Sequence, residues 1–535
     1  MRVYLILLFI SISAFVRAQQ PVTDTINNGK TIVILGSERY SFLDRDSLGR
    51  FIALSGKAKV QQGHTIFEAD SITLNPNDKV LEAFGNVHIN DADSIQIYSQ
   101  YLKYLGKDKK AYLKDKVKLN DKKGILSTNE LEYDVNLKVG TYTSGGKLVN
   151  GKTVLTSKEG YYYGDTKDVY FKKGVVLIDT SSKITTDTLV YNTASDITTF
   201  VCATKIVQGK RTITTKDGFY NLKEKKAVLN QRSFIDDSTY TMTADSMAFD
   251  DKSGLGDFKG NAVYRSKDTV GGFDVIANSI KVNKKINSFL ATQKPVLFIK
   301  QEADTIYVSA DTFYAAKVSD LKKYREVPWI RDTAYLKNML EKTDSSSDRY
   351  FEGYHHVRVY SDSLQAVGDS MFYSLQDSAF RLFKKPIVWS KENQISGDTI
   401  YLYTKNKKAE RLYVFENALS ISKEGDGYFN QVKGNSINGL FKEGKFDFLR
   451  TRGSPAENIY YAKDDKGKFI GVNQSVSDVI EVYFAEGKAE RVKLINNLTG
   501  TMFPMKQVNH KEIRVKNFTW LDELRPKTKL DILMN

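Results

Sequence analysis

The chain has one cysteine in 535 residues, Cys202, so it can form no internal disulfide and must be stabilised by packing and strand ladders. Eight prolines are too few for a linker-rich or disordered chain. Five histidines, with no H-E-x-x-H and one cysteine, assemble no zinc or Cys/His site, so no metal and no cofactor is expected. After the first 18 residues no run is apolar enough to cross a bilayer as a helix. Acidic residues are outnumbered, 64 against 79 Lys and Arg, giving a formal charge of +15 that suits an anionic partner.

Aromatics are plentiful, 31 Tyr and 29 Phe, which together with Thr, Val and Ile favours strands. Arg2, the apolar run Val3 to Val16 and the small residues Val16 and Ala18 read as a cleaved signal peptide over 1–18. Export argues against nucleic acid. Cys202 lies in the apolar run Thr199 to Ala203 and reads as a small buried core residue.

A repeat dominates the rest of the chain. Ala69-Asp70-Ser71-Ile72, Thr186-Asp187-Thr188-Leu189, Ala244-Asp245-Ser246-Met247, Ala310-Asp311-Thr312-Phe313, Gly368-Asp369-Ser370-Met371 and Gly397-Asp398-Thr399-Ile400 share one pattern, spaced in steps of about 30 residues or multiples of it. Between copies run glycine-led strands, Gly56-Lys57-Ala58, Gly85-Asn86-Val87 and Gly260-Asn261-Ala262. Turn clusters such as Asn75-Pro76-Asn77-Asp78 separate the pieces. Each period predicts two strands of about 12 residues, interrupted midway at the Gly or the small-Asp pair by a kink or bulge. Spacing alone leaves antiparallel hairpins and a parallel β-helix both open; two turns per period lean to hairpins.

The fold class is all-β. If each kinked strand gives one leg to each of two facing sheets, stacked hairpins form an elongated open β-jelly-roll with an apolar interior. Residues 19–317 predict a first repeat block, 318–352 a partly helical insertion with Leu336, Met339 and Leu340 on one face, 353–453 a second block, and 454–535 a C-terminal cap. The strand Phe51 to Gln61 is expected to be an open edge.

Two motifs tempt toward chemistry. Gly146 to Thr153 matches G-x-x-x-x-G-K-[ST], but the sequence after it is strand-like, where a P-loop needs a helix. His355-His356 is adjacent on a strand, facing opposite ways. The recurrent Asp residues read as bend positions, and no enzyme is expected.

The alternation of Ala-Asp-Ser/Thr with Gly-Asn-Val over roughly 30–453 resembles the OstA-like family, named for organic solvent tolerance. Asn393 to Asp398 and Trp520 to Pro526 resemble its longer members. The resemblance implies a periplasmic lipopolysaccharide-binding bridge, shielding the acyl chains of lipid A in an apolar groove on the way to the outer membrane. Candidate groove residues are Ile72, Leu74, Phe84, Val87, Ile89, Ile95, Ile97, Val117, Leu119, Leu189 and Tyr191. Candidate phosphate contacts at the groove rim are Lys57, Lys59, Lys116, Lys118, Lys172, Lys173, Lys384 and Lys385. Expected partners are inner- and outer-membrane transport components joined by edge-strand addition, with head-to-tail self-association also open. The alternatives are a structural or adhesive β-repeat protein without lipid cargo and a polysaccharide-processing β-helix enzyme.

Overall fold

The structure is a computed structural model that describes residues 31–45, 49–268, 272–300, 305–327, 348–405, 408–425, 427–486 and 488–533. The leader at 1–18 and the face formed by Leu336, Met339 and Leu340 lie outside these residues. The chain divides into two compact units, up to residue 171 and from 172 onward.

In the first unit, strands of the expected length follow one another: Thr65–Asn75, Val80–Asp91, Ile95–Leu105 and Lys110–Asn120. Each pairs antiparallel with its sequence neighbours, which decides for hairpins over a parallel β-helix. Alternating residues are buried, so each strand presents one apolar and one polar face.

The register breaks once per strand pair. Ser55 faces Ser71 and Ala58 faces Ala69, so Gly56 and Lys57 together oppose Asp70. Both extra residues are left-handed, with φ of 75° and 49°. The same pairs recur at Gly85-Asn86 and Asp115-Lys116. A left-handed pair bends the strand sharply, which is where glycine and asparagine cost least. Every strand is thereby split into two legs, and the legs build two ladders. The first ladder holds the halves around Phe67, Ile89, Ile97 and Leu119, and the second those around Leu74, Leu81, Leu102 and Leu131. The ladders face each other: the rings of Phe67 and Tyr104, one from each, lie 4.5 Å apart.

The second unit repeats this plan on its own. Left-handed pairs stand at Gln231-Arg232, Gly260-Asn261, Gln293-Lys294, His355-His356, Lys384-Lys385 and Glu416-Asn417. The helical stretch expected at 318–352 is a single turn, Val318–Leu321, among the described residues.

Three expectations need correction. Strand pairing continues through Phe469–Ala485, Lys488–Ile495 and Thr499–Pro504, so the ladder runs past Ser454, where the cap was to begin. Apolar alternation persists there in longer strands, and their length obscured the period. The strand around Phe51 to Gln61 is covered on one leg by Ile32–Gly36 and on the other by Arg39–Arg45, so it is no free edge. Cys202 is half-buried, because it falls at a bend, where its Sγ lies 3.1 Å from Thr186 Oγ1.

Candidate functional site: the seam between the ladders

Two facing ladders leave a seam where the tips of their legs approach. In the first unit that seam is closed by tyrosines. Tyr104, Tyr133 and Tyr162, spaced 29 residues apart, each stand one residue before the end of a second-ladder strand. Tyr104 donates to Gln62 Oε1 at 2.6 Å, Tyr133 to Asp91 Oδ2 at 2.6 Å and Tyr162 to Asp121 Oδ2 at 3.0 Å. Each acceptor belongs to a tip of the first ladder. Burial, seconded by the Asp91 charge, drives the Tyr133 phenol far above its ordinary range; burial also raises Tyr104 and Tyr162.

In the second unit Gln208 donates to Tyr220 Oη at 3.1 Å. The next rung is ionic. Arg211 meets Asp251 at 2.7 Å and lies over the Phe249 ring. The equivalent positions are then Phe249 and Val282, which carry no hydroxyl.

There the seam opens into a cavity of about 180 Å³. Tyr240, Met242, Tyr264, Phe273 and Val275 line it from the first ladder, and Phe258, Ile280, Val282 and Phe289 from the second. The rings of Tyr240, Tyr264 and Phe273 stack at 5.3 Å intervals, and Phe273 stacks on Phe289 at 5.7 Å. Burial pushes the Tyr240 and Tyr264 phenols up to about 12. Two cations flank the mouth. Arg349 lies 5.5 Å over Phe273 and donates to the Asn287 carbonyl at 3.3 Å; Lys284, from the same turn as Asn287, also lines the cavity. Desolvation lowers both pKa values.

Farther along the second unit, the C-terminal tail lies back on the array. Buried Gln431 accepts from Val515 N at 2.9 Å. Buried Gln394 donates to Thr519 O and accepts from Leu521 N, both at 2.8 Å. Arg525 clasps Gln365 Oε1 at 2.9 and 2.7 Å. Phe518 and Trp520 pack on Phe429. Ile532, fully buried, ends the strap against Thr305–Ser309 and Tyr350–Tyr360. The tail therefore begins on the late strands, where Met505, Val508 and His510 pack against Tyr461 and Val472, and then visits earlier strands in reverse order.

The predicted groove residues divide. Ile72, Leu74, Val87, Ile89, Ile95, Ile97, Val117, Leu119, Leu189 and Tyr191 all point inward and are at most 3% exposed, so they fill the interior with one another. Phe84 does not belong with them. It is 45% exposed, because it shares strand parity with outward Glu82 and Asn86, and it packs on Tyr101 outside.

The predicted lysines sit on the outer side, away from the seam. Lys57, Lys116, Lys173, Lys384 and Lys385 are themselves left-handed bend residues, and Lys172 adjoins one. Lys59 and Lys118 are outward strand residues, Lys59 paired with Glu68 at 2.7 Å. Lys384 pairs with Asp369 at 2.9 Å. The mid-strand bends lie a full leg from the tips, so these lysines do not rim the opening. The residues missed from sequence, the seam tyrosines, carried a visible signal in their 29-residue recurrence. Arg349 and Lys284 carried none.

The other motifs resolve simply. Gly146–Asn150 and Thr153–Ser157 form a hairpin, with no helix after Lys152. His355 and His356 occupy one bend and contact Asp369 and Asp311 separately. Among the described residues no cluster of His, Cys, Asp or Glu could hold a metal ion, and no helix is long and apolar enough to cross a membrane.

Kinked antiparallel hairpins, stacked as two facing ladders over an apolar interior, define a β-jelly-roll array. Residues 30–187 and 161–245 match the family described as OstA-like protein, and the resemblance read from the repeats holds over that stretch. Among solved structures, one similar chain is LptH of Pseudomonas aeruginosa, described as the LptA homologous periplasmic component of the conserved lipopolysaccharide transport device. It is 15% identical, with 32% of this chain and 80% of that chain covered and a TM-score of 0.13. No curated protein sequence matches the chain.

Proposed function

We propose that this chain is an exported, non-enzymatic carrier that holds lipopolysaccharide by its acyl chains in the periplasm, on the way to the outer membrane. The observation that carries the reading is the inward apolar wall that each unit builds from the repeats, bounded by two ladders. Each methylene moved from water into such a wall gains about 0.8 kcal/mol, so a multi-acyl lipid needs shelter of this kind to cross an aqueous gap. Transport partners would add strands at the end of the array. Among the described residues, Ile32–Gly36 and Arg39–Arg45 each pair on one side only and expose Val33, Leu35, Tyr40 and Phe42.

One observation favours the scaffold reading for part of the chain. In the first unit the interior is filled and the seam latched by buried tyrosines, as suits a rigid spacer. Cargo would then be held where the seam is unlatched, in the second unit. Mass spectrometry of lipid extracted from protein purified without detergent tests the reading. Lipopolysaccharide in the extract supports it; protein free of lipid, or carrying phospholipid alone, contradicts it.

A further inference from the structure

The apolar cavity of the second unit lies where the run of seam phenols has ended, after Phe249, and that end is written into the sequence. Where Tyr104, Tyr133, Tyr162 and Tyr220 present a phenol, the corresponding position here is Val282. A valine is too short to reach across, and the space a phenol would fill is left open. The walls are aromatic, Tyr264 and Phe273 on one side and Phe289 on the other. At about 180 Å³ the cavity is below the roughly 300–1,000 Å³ of sites for whole drug-sized ligands, a size for one hydrocarbon chain.

The mouth differs in kind from the walls. Among the described residues neither Arg349 nor Lys284 has a carboxylate within salt-bridge distance; Asp348 acts on Arg349, and Asp251 and Asp237 on Lys284, only from farther off, and Lys284 is exposed while Arg349 is half-buried. Arg349 donates to a carbonyl and lies over a ring face. A half-buried guanidinium with no carboxylate in contact gains from an arriving anion.

We propose that this cavity is a lateral binding site for one acyl chain of a phosphate-bearing lipid, with Arg349 and Lys284 holding the headgroup. The choice of a phosphate-bearing lipid rests on the carrier reading above; the apolar cavity and its two cations stand without it. The chain enters tail-first past Val282, into the space a phenol would fill, along the stacked rings of Tyr264, Phe273 and Phe289. The guanidinium, already fixed over Phe273, meets the phosphate at the mouth.

Calorimetric titration of the full mature chain tests this, using dodecyl phosphate, dodecyl maltoside and inorganic phosphate below micellar concentrations. Dodecyl phosphate should bind at one site, about tenfold more tightly than dodecyl maltoside, with inorganic phosphate showing no heat of binding. Val282→Tyr restores the missing phenol and should abolish binding of both detergents. Arg349→Gln should lose most of the preference for dodecyl phosphate, Lys284 keeping the remainder, and leave dodecyl maltoside unchanged. The proposal is overturned if folded Val282→Tyr, checked by circular dichroism, binds as before, or if inorganic phosphate binds as well as dodecyl phosphate. Should Val282→Tyr fail to fold, Arg349→Gln decides alone: equal affinity losses for the two detergents, or none, overturn the site. Lipopolysaccharide loading by a Val282→Tyr protein that no longer binds dodecyl phosphate would remove the site's role and leave the carrier reading intact. Dodecyl phosphate binding by a protein that never carries lipopolysaccharide would do the reverse.

Discussion

Asn86 donates its side-chain amide to Asp70 Oδ2 at 2.9 Å, joining the left-handed bend of one strand to the Ala-Asp-Ser motif of its neighbour. The same link joins Asn261 to Asp245 at 2.9 Å, Asn417 to Asp398 at 2.7 Å and Asn497 to Asp478 at 2.9 Å. The two recurrent sequence signals are therefore the two halves of one contact. Asparagine tolerates the left-handed region, and the aspartate fixes its side chain there. Replacing Asn86 by Ala should cost about 1 kcal/mol, mostly backbone strain, while Asn86→Gly should cost less. Asp70→Ala, which leaves the bend residue in place, should have the smaller effect of a solvent-exposed hydrogen bond. Urea midpoints of the three variants check the order.

The seam phenols should matter more. Tyr133→Phe removes one of the two side-chain donors to buried Asp91, leaving Thr65 at 2.9 Å. A loss of about 1–3 kcal/mol is expected from the stranded carboxylate oxygen. Tyr98→Phe, on the exposed face, should stay within about 0.5 kcal/mol. Equal effects in the two variants would mean that the tyrosines do not latch the seam.

Alkaline pH should loosen the array through its buried phenols. Burial raises the phenol pKa of Tyr104, Tyr133 and Tyr162 above 10.0, and those of Tyr142, Tyr240 and Tyr264 to about 12. A raised folded-state value means that the folded chain keeps protons the unfolded chain releases. The contribution is intact below pH 10 and falls as pH rises toward the folded values. Thermal midpoints measured between pH 8 and 12 should decline above 10, and Tyr133→Phe should decline less steeply.

The C-terminal strap rests on three buried glutamines, so Gln394→Ala should release its middle. Two hydrogen bonds are lost, and hydrogen exchange at Thr519 to Leu521 should rise while the strand Thr399–Lys405 keeps its protection. Unchanged exchange would show that Phe518 and Trp520 hold the strap by packing alone.

The repeat, its antiparallel hairpins and the bend positions were legible because period-2 alternation and left-handed residues leave marks at fixed spacing. Ten of the eleven proposed groove residues point inward for the same reason; Phe84 failed because its parity was not followed through the strand. Asn393 to Asp398 and Trp520 to Pro526 are separate signals in the sequence, and the structure brings Gln394 against Thr519 and Leu521. That pairing spans 125 residues or more and leaves no local trace. The cavity was illegible because it is made by an absence, a missing phenol at Val282. Its cation Arg349 comes from outside the repeat.

Acyl chains carried as proposed lie against the inward apolar residues of the second unit. Photo-crosslinking amino acids placed in cells at inward Val275 and Val282, and at their outward neighbours Asp274 and Lys281, test it most directly. The account predicts lipopolysaccharide adducts at the two inward positions and none at the outward pair. Adducts at the outward positions alone, or at none of the four in folded protein, would contradict it.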